Sequence, residues 1–239
     1  MKRAADEKPL VPEREVTIPV GALSLAGTLA IPDGPKGIVV FAHGSGSSRH
    51  SPRNRYVAGV LQSSGMATLL LDLLTPGEDA LDQQTGELRF DVPLLADRLV
   101  AATEWLQNGP WTKGLSAAYF GASTGAAAAL AGAARLGDAV TAVVSRGGRP
   151  DLAKDVLGFV RAPTLLIVGG NDEPVLELNR WAYHRLPSIR KKLVIIPGAT
   201  HLFEEPGALE EVANAAADWF ARYIGVSPVP LVALAAAKD

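Results

Sequence analysis

The chain has 239 residues, 48% of them hydrophobic and 20% charged, with a formal net charge of −2. These values are ordinary for a soluble globular protein with a sizeable core, and they give no overall field that would attract nucleic acid or an anionic membrane. Because the sequence has no cysteine, disulfides, thiolate metal sites and a cysteine nucleophile are excluded. The N-terminus is basic but no apolar stretch follows it, so we expect a cytoplasmic protein without a secretory signal or a membrane span.

Short apolar segments alternate with helical patterns along the chain, which is typical of a mostly parallel sheet covered by helices on both faces. An antiparallel hairpin is predicted first, with strands at 16–20 and 23–31. Further strands are predicted at 37–42, 66–71, 115–120, 139–144, 163–168 and 192–196. Helices are predicted at 53–63, 91–107, 126–136, 174–186 and 208–223. We therefore expect one α/β domain over 14–225, with about eight strands and no large cap domain, between tails at 1–13 and 226–239.

A polar, turn-rich segment at 73–90 follows the fourth predicted strand. It contains the turn-forming pairs Pro76-Gly77 and Thr85-Gly86. Loops of this length inside a compact domain often act as lids or binding loops. We predict a loop here, with Leu74 as a candidate for lining a substrate pocket.

The pentapeptide Gly121-Ala122-Ser123-Thr124-Gly125 lies between a predicted strand and an alanine-rich helix. A serine hydroxyl becomes a useful nucleophile when a sharp strand-to-helix turn exposes it, and such a turn needs small neighbours. A Gly-x-Ser-x-Gly match can arise by chance in a chain with 24 glycines, but the flanking strand and helix favour a functional turn. We predict Ser123 as the nucleophile and the N–H of Thr124, in the first helical turn, as an oxyanion donor.

Two of the four histidines, His184 and His201, follow Ser123 in the chain. His184 falls in a predicted surface helix, whereas His201 follows the carboxyl end of a strand, where catalytic groups gather in open α/β sheets. Asp172 follows the preceding predicted strand in the same way, and its neighbour Glu173 is expected to point elsewhere. The sequence therefore predicts a nucleophile, an orienting acid and a base at Ser123, Asp172 and His201.

The segment His43-Gly44-Ser45-Gly46 follows the third predicted strand. Small residues there allow the backbone to approach a carbonyl oxygen, so Ser45 is the predicted second oxyanion donor. We expect His43 to shape this loop, and we keep it as a pocket candidate. A phosphate-loop interpretation is disfavoured because the segment lacks both a Gly-Lys-Ser/Thr ending and the third glycine of a dinucleotide fingerprint.

With these motifs the chain resembles the α/β-hydrolase superfamily, and within it the dienelactone-hydrolase-like branch. The resemblance extends from the first hairpin to near Tyr223 and includes the motifs around Asp172 and His201. It implies an eight-stranded, mostly parallel sheet and ester hydrolysis without a cofactor. Dienelactone hydrolases carry cysteine at the nucleophile, so Ser123 favours a general carboxylesterase over an enzyme specific for dienelactones. The chain also resembles small serine hydrolases found beside or fused to phosphoribosyltransferase-like domains, although we expect no such second domain here.

The surroundings of the predicted site are less specific. Arg146 follows a strand, and its guanidinium would suit an anionic group on the substrate, but it and Arg53 could equally pair with loop acids such as Asp72, Glu78 or Glu204. Phe203, two residues after the predicted base, is a further pocket candidate. The missing cap favours an open, shallow site for short acyl chains.

Three interpretations of function follow from these residues. The first is a carboxylesterase that acts on a small ester through an acyl-enzyme, with no metal. The second is a lactonase, thioesterase or amidase with the same triad, which the sequence does not separate from the first. The third, from a different class, is a catalytically silent binding module. The expected partner is a small-molecule ester, and both a monomer and a homo-oligomer stay open.

Overall fold

A computed structural model describes residues 11–225, so most of the first predicted tail and all of the second lie outside the described residues. Eight strands form one sheet in the order β1-β2-β4-β3-β5-β6-β7-β8. The strands are β1 (Glu13–Val20), β2 (Leu23–Ala30), β3 (Ile38–Ala42), β4 (Ala67–Leu71), β5 (Ala117–Ala122), β6 (Val140–Arg146), β7 (Thr164–Gly169) and β8 (Lys191–Ile196). β2 pairs antiparallel with β1 and β4, and all other pairs are parallel. The predicted eight-stranded, mostly parallel sheet is confirmed.

Six α-helices accompany the sheet in the described part of the chain. They are α1 (Pro52–Ser63), α2 (Pro76–Thr85), α3 (Val92–Asn108), α4 (Thr124–Leu136), α5 (Glu173–Arg185) and α6 (Ala208–Tyr223). None of the helices between residues 11 and 225 is long and apolar enough to cross a membrane. No large cap domain covers the carboxyl edge of the sheet within these residues, as predicted.

The central strands are buried on both faces because parallel sheets of this class are covered by helices on each side. Every residue of β3, β5 and β7 is buried, which explains their nearly continuous apolar sequences. One apolar cluster packs the sheet against α3 and α4, and a second packs the opposite face against α1 and α6. The two clusters fix the strands so that the loops at their carboxyl ends meet at one edge.

The predicted loop at 73–90 was wrong, because most of the segment is helical. The Thr75 hydroxyl accepts a hydrogen bond from the Glu78 N–H at 3.2 Å, and the Glu78 carboxylate accepts one from the Thr75 N–H at 2.7 Å. This reciprocal capping box starts α2, and Pro76 is tolerated because the first helical N–H has no intrahelical acceptor. Pro76-Gly77 is therefore the first turn of a helix and not a loop.

The end of α2 is fixed by a buried carboxylate. Asp82, which is 2% exposed, accepts hydrogen bonds from the Leu88 and Arg89 N–H groups at 2.8 and 2.9 Å, and from Arg89 Nε at 2.7 Å. These bonds hold a short 3-10 turn, Leu88–Phe90, against the helix. The 73–90 segment is thus an ordered structure that covers part of the sheet edge.

Candidate active site

The turn between β5 and α4 places Ser123 at the edge of the sheet. Its φ and ψ are 53° and −119°, a region that residues with a Cβ seldom adopt. The Ser123 N–H donates to the Arg146 carbonyl at 3.1 Å, and the Ser123 carbonyl accepts from the N–H groups of Ala126 and Arg149, both at 3.1 Å. The strained backbone is therefore held by main-chain hydrogen bonds from three directions.

The glycines on either side of Ser123 are required by close approach. A Cβ at Gly125 would clash with the carbonyl oxygens of Ala42 and His43, and a Cβ at Gly121 would clash with the backbone of Ala126. The nucleophile turn is therefore wedged between the end of β3 and the first turn of α4. Small side chains are a steric requirement at these positions.

His201 and Asp172 come together with Ser123 from loops after β8 and β7. His201 Nδ1 lies 2.6 Å from Asp172 Oδ2, and His201 Nε2 lies 3.3 Å from Ser123 Oγ. Because a carboxylate accepts, Nδ1 carries the proton and Nε2 is left to accept from the serine hydroxyl. The three side chains thus form a hydrogen-bonded line from carboxylate to hydroxyl.

The loops that carry the acid and the base are tied to each other. The Asn171 N–H donates to the Ala199 carbonyl, and the Asn171 side-chain amide donates to the Gly198 carbonyl, both at 2.9 Å. Sequence analysis did not single out Asn171, although an amide beside a predicted acid at a strand end was an available signal. These bonds keep the Asp172 carboxylate within reach of the imidazole.

Phe203 was predicted as a pocket residue, and this prediction was wrong. Its side chain is 1% exposed and belongs to the apolar cluster under α6. Its φ is 56°, so the chain turns back just after His201 and directs the ring inward. The Thr200 N–H and hydroxyl both donate to the Glu205 carboxylate, at 3.0 and 2.6 Å, which closes the loop around this turn. Phe203 therefore anchors the His201 loop.

The loop after β3, which carries the predicted oxyanion donor Ser45, approaches the start of α4. The hydroxyls of Ser45 and Thr124 are hydrogen-bonded at 3.1 Å, although 79 residues separate them. Thr124 begins α4, so its N–H has no acceptor within the helix. A Cβ at Gly44 would lie 3.0 Å from Ser123 Cβ, which shows how closely this loop approaches the serine.

His43 holds the same loop from its other end. Its Nδ1 lies 2.9 Å from the Gly44 carbonyl and must donate, so Nε2 accepts from the Leu73 N–H at 3.1 Å. Burial lowers the pKa of His43, and this effect outweighs the opposing influence of its hydrogen bond to Gly44. His43 is therefore a neutral bridge between the oxyanion loop and the 73–90 segment, in agreement with the expected role in shaping the loop.

A cleft lies between these elements, with about 290 Å³ of atom-free space that includes space open to solvent. Leu74, a predicted pocket residue, lines it together with Leu73 and the loop from His43 to Ser47. Asp79 and Arg89 of the 73–90 segment complete the wall. The cleft therefore has both apolar and charged linings beside the predicted oxyanion donors.

The arginines near the site divide into paired and unpaired groups. Arg53 pairs with Glu204 at 3.1 Å, which confirms one of the predicted loop pairings. Arg49 forms an ion pair with Asp72, and Arg98 forms one with Glu78 at 2.7 Å. Arg146 forms no ion pair with Asp72, Glu78 or Glu204.

The Arg146 side chain is buried beneath the His201 loop, 5.9 Å from the centre of the Phe203 ring, and it is absent from the residues that line the cleft. Its predicted role, which is to bind an anionic group of the substrate, therefore stays a prediction. The side chain lies against the ring of Phe203, two residues after the predicted base.

The family model described as "Dienelactone hydrolase family" matches residues 25–226 of this chain. The crystal structure of dienelactone hydrolase from Anabaena variabilis is 59% identical, with a TM-score of 0.88 over 90% of this chain and 99% of that one. A structure from Xanthomonas campestris, described as a serine hydrolase without a lid, is 21% identical with a TM-score of 0.73, over 92% of this chain and 100% of that one. That last similarity concerns the fold alone.

Two curated relatives from strains of Mycobacterium tuberculosis are both named "Putative phosphoribosyl transferase". Each is 58% identical over 217 residues, which is 91% of this chain and 48% of the relative. The chain thus spans about half the length of the curated relatives it matches.

Proposed function

Because this chain belongs to the dienelactone hydrolase family, we propose that it is a serine hydrolase that cleaves small carboxylic esters through an acyl-enzyme at Ser123. The observation that carries the proposal is the line of hydrogen bonds from Asp172 through His201 to the Ser123 hydroxyl. This geometry serves one kind of chemistry best, which is activation of a hydroxyl for attack on a carbonyl carbon.

The first half of the reaction forms the acyl-enzyme. His201 Nε2 takes the hydroxyl proton as Ser123 Oγ bonds to the ester carbonyl carbon, and the carbonyl oxygen becomes an oxyanion. Asp172 stabilises the imidazolium through its hydrogen bond to Nδ1. When the tetrahedral intermediate collapses, the bond to the alcohol oxygen breaks and His201 returns the proton to the leaving alcohol.

The oxyanion is stabilised by the N–H groups of Ser45 and Thr124. Preorganised donors at this position account for a large share of the rate in acyl transfer, since they need no rearrangement as charge develops. The hydroxyl contact between the same two residues supports this assignment, because it joins the two segments that supply the donors. In the second half of the reaction His201 activates a water, and hydrolysis releases the acid from Ser123.

The small cleft favours short acyl chains over long ones. Its volume of about 290 Å³ includes space open to solvent, and Leu73 and Leu74 supply its apolar surface. A serine nucleophile, in place of the cysteine of true dienelactone hydrolases, is the reason to propose a general ester substrate. Lactones, thioesters and amides would use the same three side chains and belong in the same assay.

The name of the curated relatives points to another reaction. That name is given to proteins about twice as long, each of which shares a segment of 217 residues with this chain. It therefore assigns no phosphoribosyl transfer to this chain. We propose that the shared segment contributes the hydrolase chemistry.

Labelling with a fluorophosphonate tests the proposal. The wild-type chain should be labelled, Ser123→Ala should not, and Ser24→Ala, at an exposed serine on β2, should match the wild type. A panel of p-nitrophenyl esters from acetyl to octanoyl, with matched lactones, thioesters and amides, then defines the substrate. Folded protein that is neither labelled nor active would contradict the proposal and favour a silent binding module.

A further inference from the structure

Arg146 is a buried cation without a counter-ion among the described residues. Its side chain is 6% exposed, and its Nε and Nη1 atoms are buried with no hydrogen-bond partner. By contrast, Arg49 and Arg98 are also largely buried but each binds a carboxylate. Burying an unpaired charge opposes folding, so Arg146 needs a reason other than stability.

The charges around Arg146 increase its affinity for an anion. Its pKa is lowered to about 10, first by burial and then by the positive charge of Arg53. Arg53 itself has a buried Nε without a hydrogen-bond partner, and Glu204, the carboxylate that pairs with its Nη1, is exposed to solvent. The two guanidinium groups and Glu204 together therefore leave an excess of one positive charge, and the buried group among them is Arg146.

The position of Arg146 connects this charge to the reacting residues. Its carbonyl accepts the Ser123 N–H, and the next residue, Gly147, lies against the imidazole of His201, where a Cβ would be 3.5 Å from the ring. Its guanidinium lies over Phe203, two residues beyond that imidazole. The shielded positive charge is thus next to the loop that carries the base.

The start of α1 strengthens the same electrostatic field. Arg53 lies in the first turn of this 12-residue helix, which has no acidic residue in that turn. The Ser51 hydroxyl accepts the Asn54 N–H, and the helix dipole at this start still favours a nearby anion.

We propose that Arg146 and Arg53, at the start of α1, form a binding site for one carboxylate or phosphate group beside the His201 loop. The planar guanidinium matches the paired oxygens of both groups. The anionic group has two sources, which are a substituent of the ester substrate and a free anion. The substrate source rests on the proposed function, whereas binding of a free anion does not.

Thermal unfolding of the full chain in inorganic phosphate tests the site without any assay of activity. At constant ionic strength, phosphate at ten times its Kd should raise the Tm of the wild type by about 3–5 °C. Arg146→Met should abolish the rise and Arg53→Gln should reduce it. Arg180→Gln, which removes an exposed arginine paired with Glu177 on α5, is the matched control and should keep the full rise.

The unliganded variants test the premise that Arg146 is unpaired. Arg146→Met exchanges a buried charge for an apolar side chain of similar length, so its Tm without phosphate should equal or exceed that of the wild type. A clearly lower Tm would show that the guanidinium supports the fold and would overturn the proposal. If that variant does not fold, Arg146→Lys keeps the charge without the planar fork and should bind phosphate at least about 10-fold more weakly.

A pair of esters distinguishes the two sources of the anion. The ratio of kcat/KM for mono-p-nitrophenyl glutarate to that for p-nitrophenyl pentanoate should fall about 10- to 30-fold in Arg146→Met if the substrate supplies the group. An unchanged ratio with an Arg146-dependent phosphate shift identifies a free anion. No shift and no change in ratio would overturn the proposal. Activity on no ester, with the phosphate shift intact, would reject the proposed function and leave the anion site standing.

Discussion

Two regions border the cleft beside Ser123, and they are held in different ways. The turn from β5 to α4 is fixed by its backbone, through main-chain hydrogen bonds at Ser123 and a glycine wedged against β3. The 73–90 segment is fixed by side chains, through the α2 capping box and the pair between Glu78 and Arg98. The comparison indicates that the reacting atom is placed by groups that cannot rotate away. The 73–90 segment, on the other side of the cleft, depends on side-chain contacts, and a single substitution can remove each of them.

The largest effect is expected from Gly125→Ala, which changes the turn from β5 to α4, the region held by its backbone. The new Cβ would meet the carbonyl oxygens of Ala42 and His43, and neither can move without shifting β3 or the oxyanion loop. We expect a loss of about 3 kcal/mol or more in the free energy of unfolding, measured by urea denaturation. Any folded fraction should also have lost its fluorophosphonate labelling, because Ser123 would be displaced.

Gly77→Ala is the matched change in the region held by side chains. Gly77 lies in the first turn of α2, and a Cβ there would meet nothing within 4 Å. We expect a gain of about 0.5–1 kcal/mol, because alanine loses less conformational entropy in a helix. Similar losses from the two substitutions would contradict the contrast between the regions.

The next effect is expected from Arg98→Met, which removes a side-chain tie. Arg98 is 5% exposed, and its loss leaves the Glu78 carboxylate of the α2 cap without its cation. We expect a loss of about 2 kcal/mol in the free energy of unfolding, within the range for breaking a partly buried pair. Amide exchange in 76–85 should quicken more than exchange in α4.

An exposed ion pair provides the control for Arg98→Met. Arg135 pairs with Asp97, and both side chains are well exposed. Arg135→Gln should cost less than about 0.5 kcal/mol, since surface pairs contribute little. If amide exchange in 76–85 were no faster in Arg98→Met than in the wild type, α2 would be held by packing and not by its ion pair.

The same contrast explains which features the sequence predicted. The strands, the nucleophile turn and the positions of Asp172 and His201 follow from local patterns, which are apolar runs that end in small or polar residues. The helix α2 was missed because Pro76-Gly77 is typical of a turn. The neighbouring Thr75 and Glu78 reverse that preference by capping each other.

Phe203 and Arg146 show a different limit of the sequence. An aromatic residue after a predicted base suggests a pocket, but the positive φ at Phe203 directs its ring into the core. The partner of each arginine depends on distances between loops that are remote in the chain. Glu204 is 151 residues from Arg53, and it pairs with that residue and not with Arg146. Only the folded arrangement shows which cation is left without an acid.

A smaller effect is expected from pH through His43, which links the oxyanion loop to the 73–90 segment. Burial lowers the pKa of His43 below its ordinary value of 6.5, so the unfolded chain takes up a proton first as the pH falls through 6.5. The stability is therefore fully present above that pH and decreases below it, by at most about 1.4 kcal/mol per pH unit. His43→Asn should flatten this dependence in urea titrations between about pH 5 and 6.5, the range in which a histidine with a lowered pKa differs in charge from an unfolded one.

Above about pH 7.5, where histidine is neutral in both states, the two stability curves should run parallel and provide the internal control. Equal slopes below pH 6.5 would show that His43 takes up its proton in the folded chain. In that case the Leu73 N–H could not donate to Nε2, and the neutral bridge would be wrong.

The smallest effect is expected at the hydroxyl pair of Ser45 and Thr124, which joins the oxyanion loop to the nucleophile turn. Ser45→Ala and Thr124→Val each keep the backbone N–H, so each should lower kcat/KM only about 3- to 10-fold by loosening the donors. The double variant should lose no more than the worse single one, a coupling of about 1 kcal/mol, because either change already breaks the contact. A loss of about 100-fold or more from one substitution would mean that a hydroxyl, and not the backbone, binds the oxyanion. Additive losses would mean that the oxyanion loop and the nucleophile turn are positioned independently of each other.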